Sequence, residues 1–526
     1  METRGERAGD NVSFWERTAK KFRTSPLAED LTTDVCVVGA GIAGVTTAYL
    51  LARERKNVVL VDDGPAGGGM TGRTTAHLVN AVDDGYAGIE KMLGEECSRL
   101  HAESHTAAID KAEEIVNEYK IDCNFERLDG YLFLPPGGSV KDLIEELDAV
   151  HRAGLTSVER VDEVPNTKIK TDAVLRFPRQ AQFHPLQYLD GIARAIVDLG
   201  GRIFTGTRIV RIKDGDRVQI ETSNGHIITA QSAVVATNCP INDRLVIHSK
   251  QAPYASYVIC LRVTNEIDHA LFWDTALTAE DEKQMIGPVP YHYVRFARDE
   301  QGNVLMVGGQ DHKSGQASDF EQRLAKLEHW TRDRFPFVGE ITDRWSGQVM
   351  ETVDGVAYIG RNPGDKNVYV ATGFSGNGMT HGTIAGLLIV DLIAGRENPW
   401  TKLYDPSRKT LQPEVVADYV AENANVAAQF RDYVTPGDEP SADKIKNGEG
   451  ATLRDGAKKI AAYRDEKGTL HRFSPVCPHL GCVVRWDNFE KTWDCPCHGS
   501  RFDALGRVLN GPAITDLQPL DAANQA

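Results

Sequence analysis

Unbroken apolar residues in "DVCVV" and again in "NVVLV" flank "IAGVTTAYLLARERK", where apolar positions recur at helical spacing. The short continuous runs predict strands buried on both faces, and the spaced pattern between them predicts an amphipathic helix. Glycine-rich turns go on alternating with strands and helices as far as "NPWTKLYDPSRKTLQPE". Beyond that point the texture changes. "EVVADYVAENANVAAQFRDYV" predicts one amphipathic helix, and "TPGDEPSADK" breaks regular structure. The pattern predicts a large α/β domain tethered to a small β domain, with no internal repeat or low-complexity segment.

A chain of 526 residues exceeds what one core ordinarily holds, which agrees with two or more domains. The formal net charge of -16, with no basic run or interleaved aromatic stripe, argues against a nucleic-acid partner. No stretch is apolar for long enough to span a bilayer, and the N-terminal residues lack a signal-type apolar core, so no integral membrane segment and a cytoplasmic location are expected. Cys36, Cys97, Cys123, Cys239 and Cys260 are scattered singly, as buried free thiols usually are, which fits that compartment.

The first strand-turn-helix-strand unit carries Gly39, Gly41 and Gly44 in G-x-G-x-x-G spacing, beside Ala43. Such glycines permit the tight turn, the approach of a pyrophosphate to the helix N-terminus and close helix–strand packing. Asp62, with Asp63 after it, ends the second strand where a carboxylate would hold ribose hydroxyls. The following "GPAGGGMTGRTTAHLVN" resembles the flavin-contacting segment of the D-amino-acid oxidase family of FAD enzymes. That resemblance implies that Gly72, Arg73, Thr74 and Thr75 line the flavin and pyrophosphate. "GTRIVRIKDG" with "HIITAQSAVVATN" is similar to that family's returning β-layer, implying that Ile209 approaches adenine and that Ala236, Thr237 and Asn238 end a strand beside the cofactor. "DGVAYIGRNPGDKNVYVATGFSGNGMTHGTIAGLLIVDLI" resembles its C-terminal flavin segment. There Gly373, Gly376, Asn377, Gly378, Met379 and Thr380 would bring backbone amides and a helix N-terminus to the ring. The FAD is expected to be non-covalent, with His77 and His381 as the exceptions to test.

Near the C-terminus, "CPHLGCVVRWDNFEKTWDCPCHGSRFD" packs four cysteines and two histidines together. These residues could form a tetrahedral zinc site, a disulfide pair or a mixed cluster. The Cys-x-His and Cys-x-x-His loops, the extra cysteine in each and the later "NGPAITDL" resemble Rieske proteins of the cytochrome bc type. The resemblance implies that Cys477 and Cys495 bind one iron of a [2Fe-2S] cluster, that His479 and His498 bind the other, and that Cys482 pairs with Cys497 as a disulfide. Gly511 and Pro512 would cover the cluster, and Ser500 would donate to a sulfide. Phe502 stands where that family often has a tyrosine, so the potential is expected below the top of the range of about -150 to +300 mV.

The expected architecture is therefore an α/β FAD-binding domain (Rossmann-like, of the glutathione-reductase type) with an α+β substrate domain, plus a small all-β Rieske domain. Its boundaries are expected at 1–29 for an N-terminal extension, 30–405 for the FAD unit with substrate segments at about 82–200 and 240–345, 406–438 for a helical linker, and 439–526 for the Rieske domain. No second dinucleotide fingerprint and no two-His-one-carboxylate iron set is evident. The resemblance implies oxidation of a C–N bond in an amino acid or amine, electrons passing from FAD through the cluster to an external one-electron carrier, a ferredoxin or cytochrome. Use of O2 at the flavin, or electrons running inward from a ferredoxin, are the alternatives. Substrate-side candidates are Tyr291, His292 and Arg295 on a strand, Asp311, His312 and Lys313 at a turn, and Trp345 and Gln348. Of these, Arg295 could pair with a substrate carboxylate or lie on a solvated strand face. His184 precedes a helix as a cap.

Overall fold

The computed structural model describes residues 8–135, 137–242, 245–275 and 291–520. The first seven residues of the expected extension, part of the 240–345 segment and the last six residues of 439–526 lie outside them. Leu31–Val38, Ile42–Arg53 and Val58–Val61 form the first strand, helix and strand. Leu31–Val38 pairs in parallel with Val58–Val61 on one side and Ile227–Val235 on the other, and Val368–Thr372 continues the parallel sheet. Residues 58–61 and 368–372 are buried throughout, as a parallel sheet covered on both faces requires.

A nine-stranded sheet forms the second layer, built on the long strands Gln251–Val263, Gly302–Lys313 and Val338–Thr352. Period-two alternation, shifted once by a bulge where Ala255–Tyr257 pairs with Gly309–His312, divides it by chemistry. Tyr257, Ile259, Leu261, Leu305 and Val307 pack on Leu324 and Leu327 of the helix Phe320–Arg334. Ser256, Val258 and Asp311 face a large cavity between the two sheets.

The C-terminal unit consists of a three-stranded and a four-stranded antiparallel sheet around Trp493, Phe502 and Val484. The helix Pro413–Gln429 that leads to it is not a free tether. Glu422 on this helix accepts from Tyr254 Oη (2.9 Å) and Lys313 Nζ (2.5 Å), and Gln316 Nε2 donates to Asn425 Oδ1 (2.8 Å). The N-terminal segment is also built in. Ser13 and Glu16 form a capping box on the helix Phe14–Thr18, and Arg17 pairs with Asp343 (2.7 Å). Asp10 N donates to Glu490 O (2.9 Å), and Arg501 Nη1 donates to Ala8 O (2.8 Å). No helix of the described residues is long and apolar enough to cross a membrane.

Candidate flavin cavity and cluster site

The cavity begins at the glycine turn. Gly39 has φ +104°, and a Cβ there would lie 2.4 Å from Ala236 O, so only glycine joins strand to helix at this point. A Cβ on Gly44 would lie 1.8 Å from Gly39 O. Gly44 therefore does not face the cavity but lets the helix seat on the turn. Gly44→Ala is expected to abolish FAD retention, read as the flavin-to-protein absorbance ratio of the purified protein. Gly39, Gly41, Ala43, Asp62, Asp63, Thr74 and Thr75 line the cavity. Asp62 accepts from Ala40 N (2.6 Å) and Gly64 N (2.7 Å), while burial and the adjacent Asp63 push its carboxyl above the usual range.

Ile209, Ala236 and Thr237 reach the cavity from the returning β-layer, and Gly376, Asn377, Gly378 and Met379 from the start of the helix Gly378–Ala394. Gly72, Gly373 and Thr380 lie behind this wall. Gly72 O accepts from Ser13 Oγ (2.5 Å), Gly373 turns with φ +68°, and Thr380 Oγ1 is held by Val79 at 3.1 Å. A long cleft with a glycine cradle at one end and backbone amides of a helix start at the other fits FAD. Of the two histidines considered for covalent attachment, His77 lines the cavity and bonds Thr75 Oγ1 (3.0 Å), whereas His381 lies behind the wall with Nδ1 on Phe374 O (2.9 Å).

Arg73 also borders the cavity, but its guanidinium is engaged elsewhere. Nη2 pairs with Glu490 Oε1 of the C-terminal unit at 2.5 Å, with both side chains fully buried, and Nε and Nη1 donate to Ser346 O (2.6 Å) and Asn11 O (2.9 Å). This arginine ties the flavin loop, the N-terminal segment and the small domain together.

The structure redistributes the substrate-side candidates. Arg295 neither reaches the cavity nor lies on a solvated face. It is 2 % exposed, stacks on Trp15 and donates to the carbonyls of Phe296, Thr75, Ala76 and Phe183 at 2.7–3.1 Å. Held through Nε and Nη1 by four main-chain carbonyls and absent from the cavity wall, this guanidinium is not placed to meet a carboxylate there. Asp311, His312 and Lys313 form the end of a strand rather than a turn, and a bulge at Gln310 (φ +62°) reverses the alternation, so that Asp311 lines the cavity and His312 stacks on Tyr257. His292 pairs with Asp274 (2.8 Å) against Trp330, and Trp345 Nε1 donates to Arg73 O (2.8 Å). His184 caps its helix, accepting from Gln187 N (3.4 Å).

Tyr291 and Gln348 do line the cavity. Tyr291 Oη donates to Asp83 Oδ2 (2.7 Å), and Ser256 Oγ donates to Asp311 Oδ1 (2.5 Å) while also contacting Tyr293 Oη (2.6 Å). Asp83, Asp311 and Glu351 thus form an acidic wall that sequence reasoning missed, apart from naming Asp311. Asp83 is exposed where it faces the cavity, while Asp311 and Glu351 are half-buried. Loss of hydration raises Asp83 to about 7 and Asp311 to about 6, and holds Glu351 well above the carboxylate range.

In the small domain Cys477 and Cys495 are buried next to each other, and Ser500, whose Oγ accepts from Ala513 N (3.0 Å), lies beside Cys477. The rings of His479 and His498 lie 5.0 Å apart, and His498 Nδ1 is buried without a hydrogen-bond partner. Two thiols and two imidazoles brought together by two loops fit a Rieske [2Fe-2S] cluster. Cys482 and Cys497 are joined as a disulfide. Phe502 is fully buried and has no hydroxyl to donate.

The cluster site abuts the cavity. His248 of the large domain packs on His479 (4.8 Å between ring centroids) and His498 (5.8 Å), and its Nδ1 lies 3.6 Å from Cys239 Sγ. Gln251 links Cys239 to Thr372, the residue before Gly373. Gln348 Nε2 donates to Gly499 O (2.9 Å), next to His498, and Val508–Gly511 of the small domain line the same cavity as Gly39.

Residues 34–392 match the FAD-dependent oxidoreductase family (DAO), and residues 439–521 match the Rieske [2Fe-2S] domain. Over 511 residues, 97% of both chains, the protein is 31% identical to YhfW of Bacillus subtilis (strain 168), provisionally described as a Rieske 2Fe-2S iron-sulfur protein. It is 27% identical to the gamma-glutamylputrescine oxidoreductase of Escherichia coli (strain K12), over 73% of this chain and 89% of that one. The glycine oxidase of Geobacillus kaustophilus shares the fold, with a TM-score of 0.57 at 17% identity over 72% of this chain and 99% of that one. The chain belongs to the DAO family of FAD-dependent oxidoreductases and carries a C-terminal Rieske [2Fe-2S] domain.

Proposed function

We propose that the protein oxidises the C–N bond of a small cationic amine, its electrons leaving singly through the Rieske domain to an external ferredoxin or cytochrome. FAD, when bound, accepts a hydride and can release its two electrons one at a time, and a [2Fe-2S] cluster carries one. The cavity residues named above would hold FAD, and Cys477, Cys495, His479 and His498 the cluster. The units would be an FAD-binding domain over 30–405, a helical linker over 406–438 and a Rieske domain over 439–526.

One observation carries the choice of amine over amino acid. The substrate side of the cavity presents Asp83, Asp311 and Glu351, while the arginines at its border, Arg73 and Arg208, pair with Glu490 and Asp516 of the small domain. An α-carboxylate would meet like charge there, whereas an ammonium group would be drawn in and held. The resemblance to gamma-glutamylputrescine oxidoreductase supports the same substrate class. Asp83, oriented by Tyr291 Oη, is placed to take a proton from the ammonium, leaving the neutral amine that oxidation of the C–N bond requires.

The sign of the pH dependence follows. Below its raised pKa each acid is neutral and neither attracts the ammonium nor accepts its proton. As pH rises through about 6 for Asp311 and about 7 for Asp83, both become carboxylates. The kcat/KM for a diamine is therefore expected to rise across pH 6–7, and Asp83→Asn to lower it and remove the upper part of the rise. Anaerobic titration with diamines, monoamines and amino acids, following flavin absorbance and the EPR signal of the reduced cluster together, tests the whole proposal. Amines should bleach the flavin and then raise the Rieske signal. Bleaching by amino acids alone would refute the substrate class, and reduction by a ferredoxin alone would reverse the direction of flow.

A further inference from the structure

Outside the cavity and the cluster, His101, His105 and His381 meet in the core of the large domain. His101 and His105 are one turn apart on the helix Glu95–Tyr119, their rings stacked with centroids 4.0 Å apart. His381, in the first turn of the helix Gly378–Ala394, brings its ring to 4.8 Å from His105 and 5.8 Å from His101. None is more than 1 % exposed.

Their hydrogen bonds fix the tautomers. His105 Nδ1 lies 3.0 Å from His101 O, and His381 Nδ1 lies 2.9 Å from Phe374 O. Each carbonyl can only accept, so Nδ1 carries the proton in both rings and Nε2 keeps its lone pair. Nε2 of His105, Nε2 of His381 and both nitrogens of His101 are buried without a hydrogen-bond partner. Buried polar atoms are normally satisfied, and four orphans in three adjoining rings call for a missing partner. Burial lowers all three pKa values, His381 to about 4, so the rings are neutral and available as donors.

The geometry points to a zinc-type divalent metal site formed by His101, His105 and His381, whose nitrogens lie within 4.8 Å of one another. Ligand rings held by Nδ1–H to main-chain carbonyls are the usual outer support of metal-bound histidine, and three imidazoles with a fourth position left for water suit Zn2+. Arg408, a cation whose charge acts on His101 and His381, is paired with Asp354 at 2.6 Å. An ion here would pin the helix Glu95–Tyr119 to the helix Gly378–Ala394 directly behind the flavin-facing loop, since Phe374 both lines the cavity and anchors His381.

The test is metal analysis and zinc-edge X-ray absorption of the holoprotein expressed with added Zn2+. One zinc per chain beyond the cluster iron is expected, in a shell of nitrogen and oxygen at about 2.0–2.1 Å with no sulfur. His105→Leu should lose that zinc while keeping FAD and the cluster's EPR signal. Absence of zinc from the wild-type protein would overturn the assignment. So would sulfur in the zinc shell, which would put the ion in the Cys/His cluster loops, and so would full zinc retention in a folded His105→Leu protein.

Discussion

Glu490→Ala is expected to lower stability by about 3–5 kcal/mol, the usual consequence of removing one partner from a buried ion pair. Arg73 and Glu490 have no exposed side-chain surface, and Glu490 also accepts from Ser346 N (2.7 Å) and Ser346 Oγ (2.8 Å). Truncation would leave the Arg73 guanidinium with the neutral carbonyls of Ser346 and Asn11 and only the more distant carboxylate of Glu16 (3.9 Å), which is already paired with Lys21. Because Arg73 borders the flavin cavity, FAD release on heating should come earlier as well. Thermal melts followed by flavin fluorescence check both effects. The double variant Arg73→Met/Glu490→Met should recover much of the loss, because two apolar side chains of similar length leave no charge unpaired. An unchanged melting temperature in Glu490→Ala would mean that the two domains are held by other contacts.

His479→Ala should remove the cluster's iron and its EPR signal while leaving FAD bound. Its ring packs on His248 and His498 rather than on the cavity wall, so its loss opens the iron site without touching the cradle. Amine should still bleach the flavin anaerobically, and reduction of an added one-electron carrier should fall to background. Loss of FAD together with iron would show that the large domain does not hold its cofactor unless the cluster loops are filled. Continued carrier reduction would show that electrons leave directly from the flavin.

Both cofactor sites were legible in the sequence because their chemistry is local. A turn that cannot tolerate a Cβ at Gly39 or Gly44 demands glycine at fixed spacing, and a mixed iron site demands two Cys and two His on two loops. The acidic wall of the cavity was not legible. Asp83, Asp311 and Glu351 come from segments far apart in the chain, and nothing near any of them marks the others. Arg295 misled for a related reason. A strand pattern gives alternation but not which face meets the cavity, and the carbonyls that hold Arg295 Nη1 come from residues 75, 76 and 183. Arg73 sits in a motif that suggests flavin contact, yet its closest carboxylate, Glu490, lies in another domain.

The N-terminal strap has a consequence for biosynthesis. Residues 8–11 are held by Phe489, Glu490 and Arg501, and Ser13 and Trp15 in turn close on the flavin loop at Gly72 and Thr74. During synthesis the sheets of the large domain can assemble and seat Ser13, Trp15 and Arg17, but residues 8–11 have no seat until residues 489–501 have been translated. Until then the loop that borders the flavin lacks one wall. Closure of the flavin site should therefore wait on synthesis and folding of the small domain, completed when residues 8–11 meet residues 489–501.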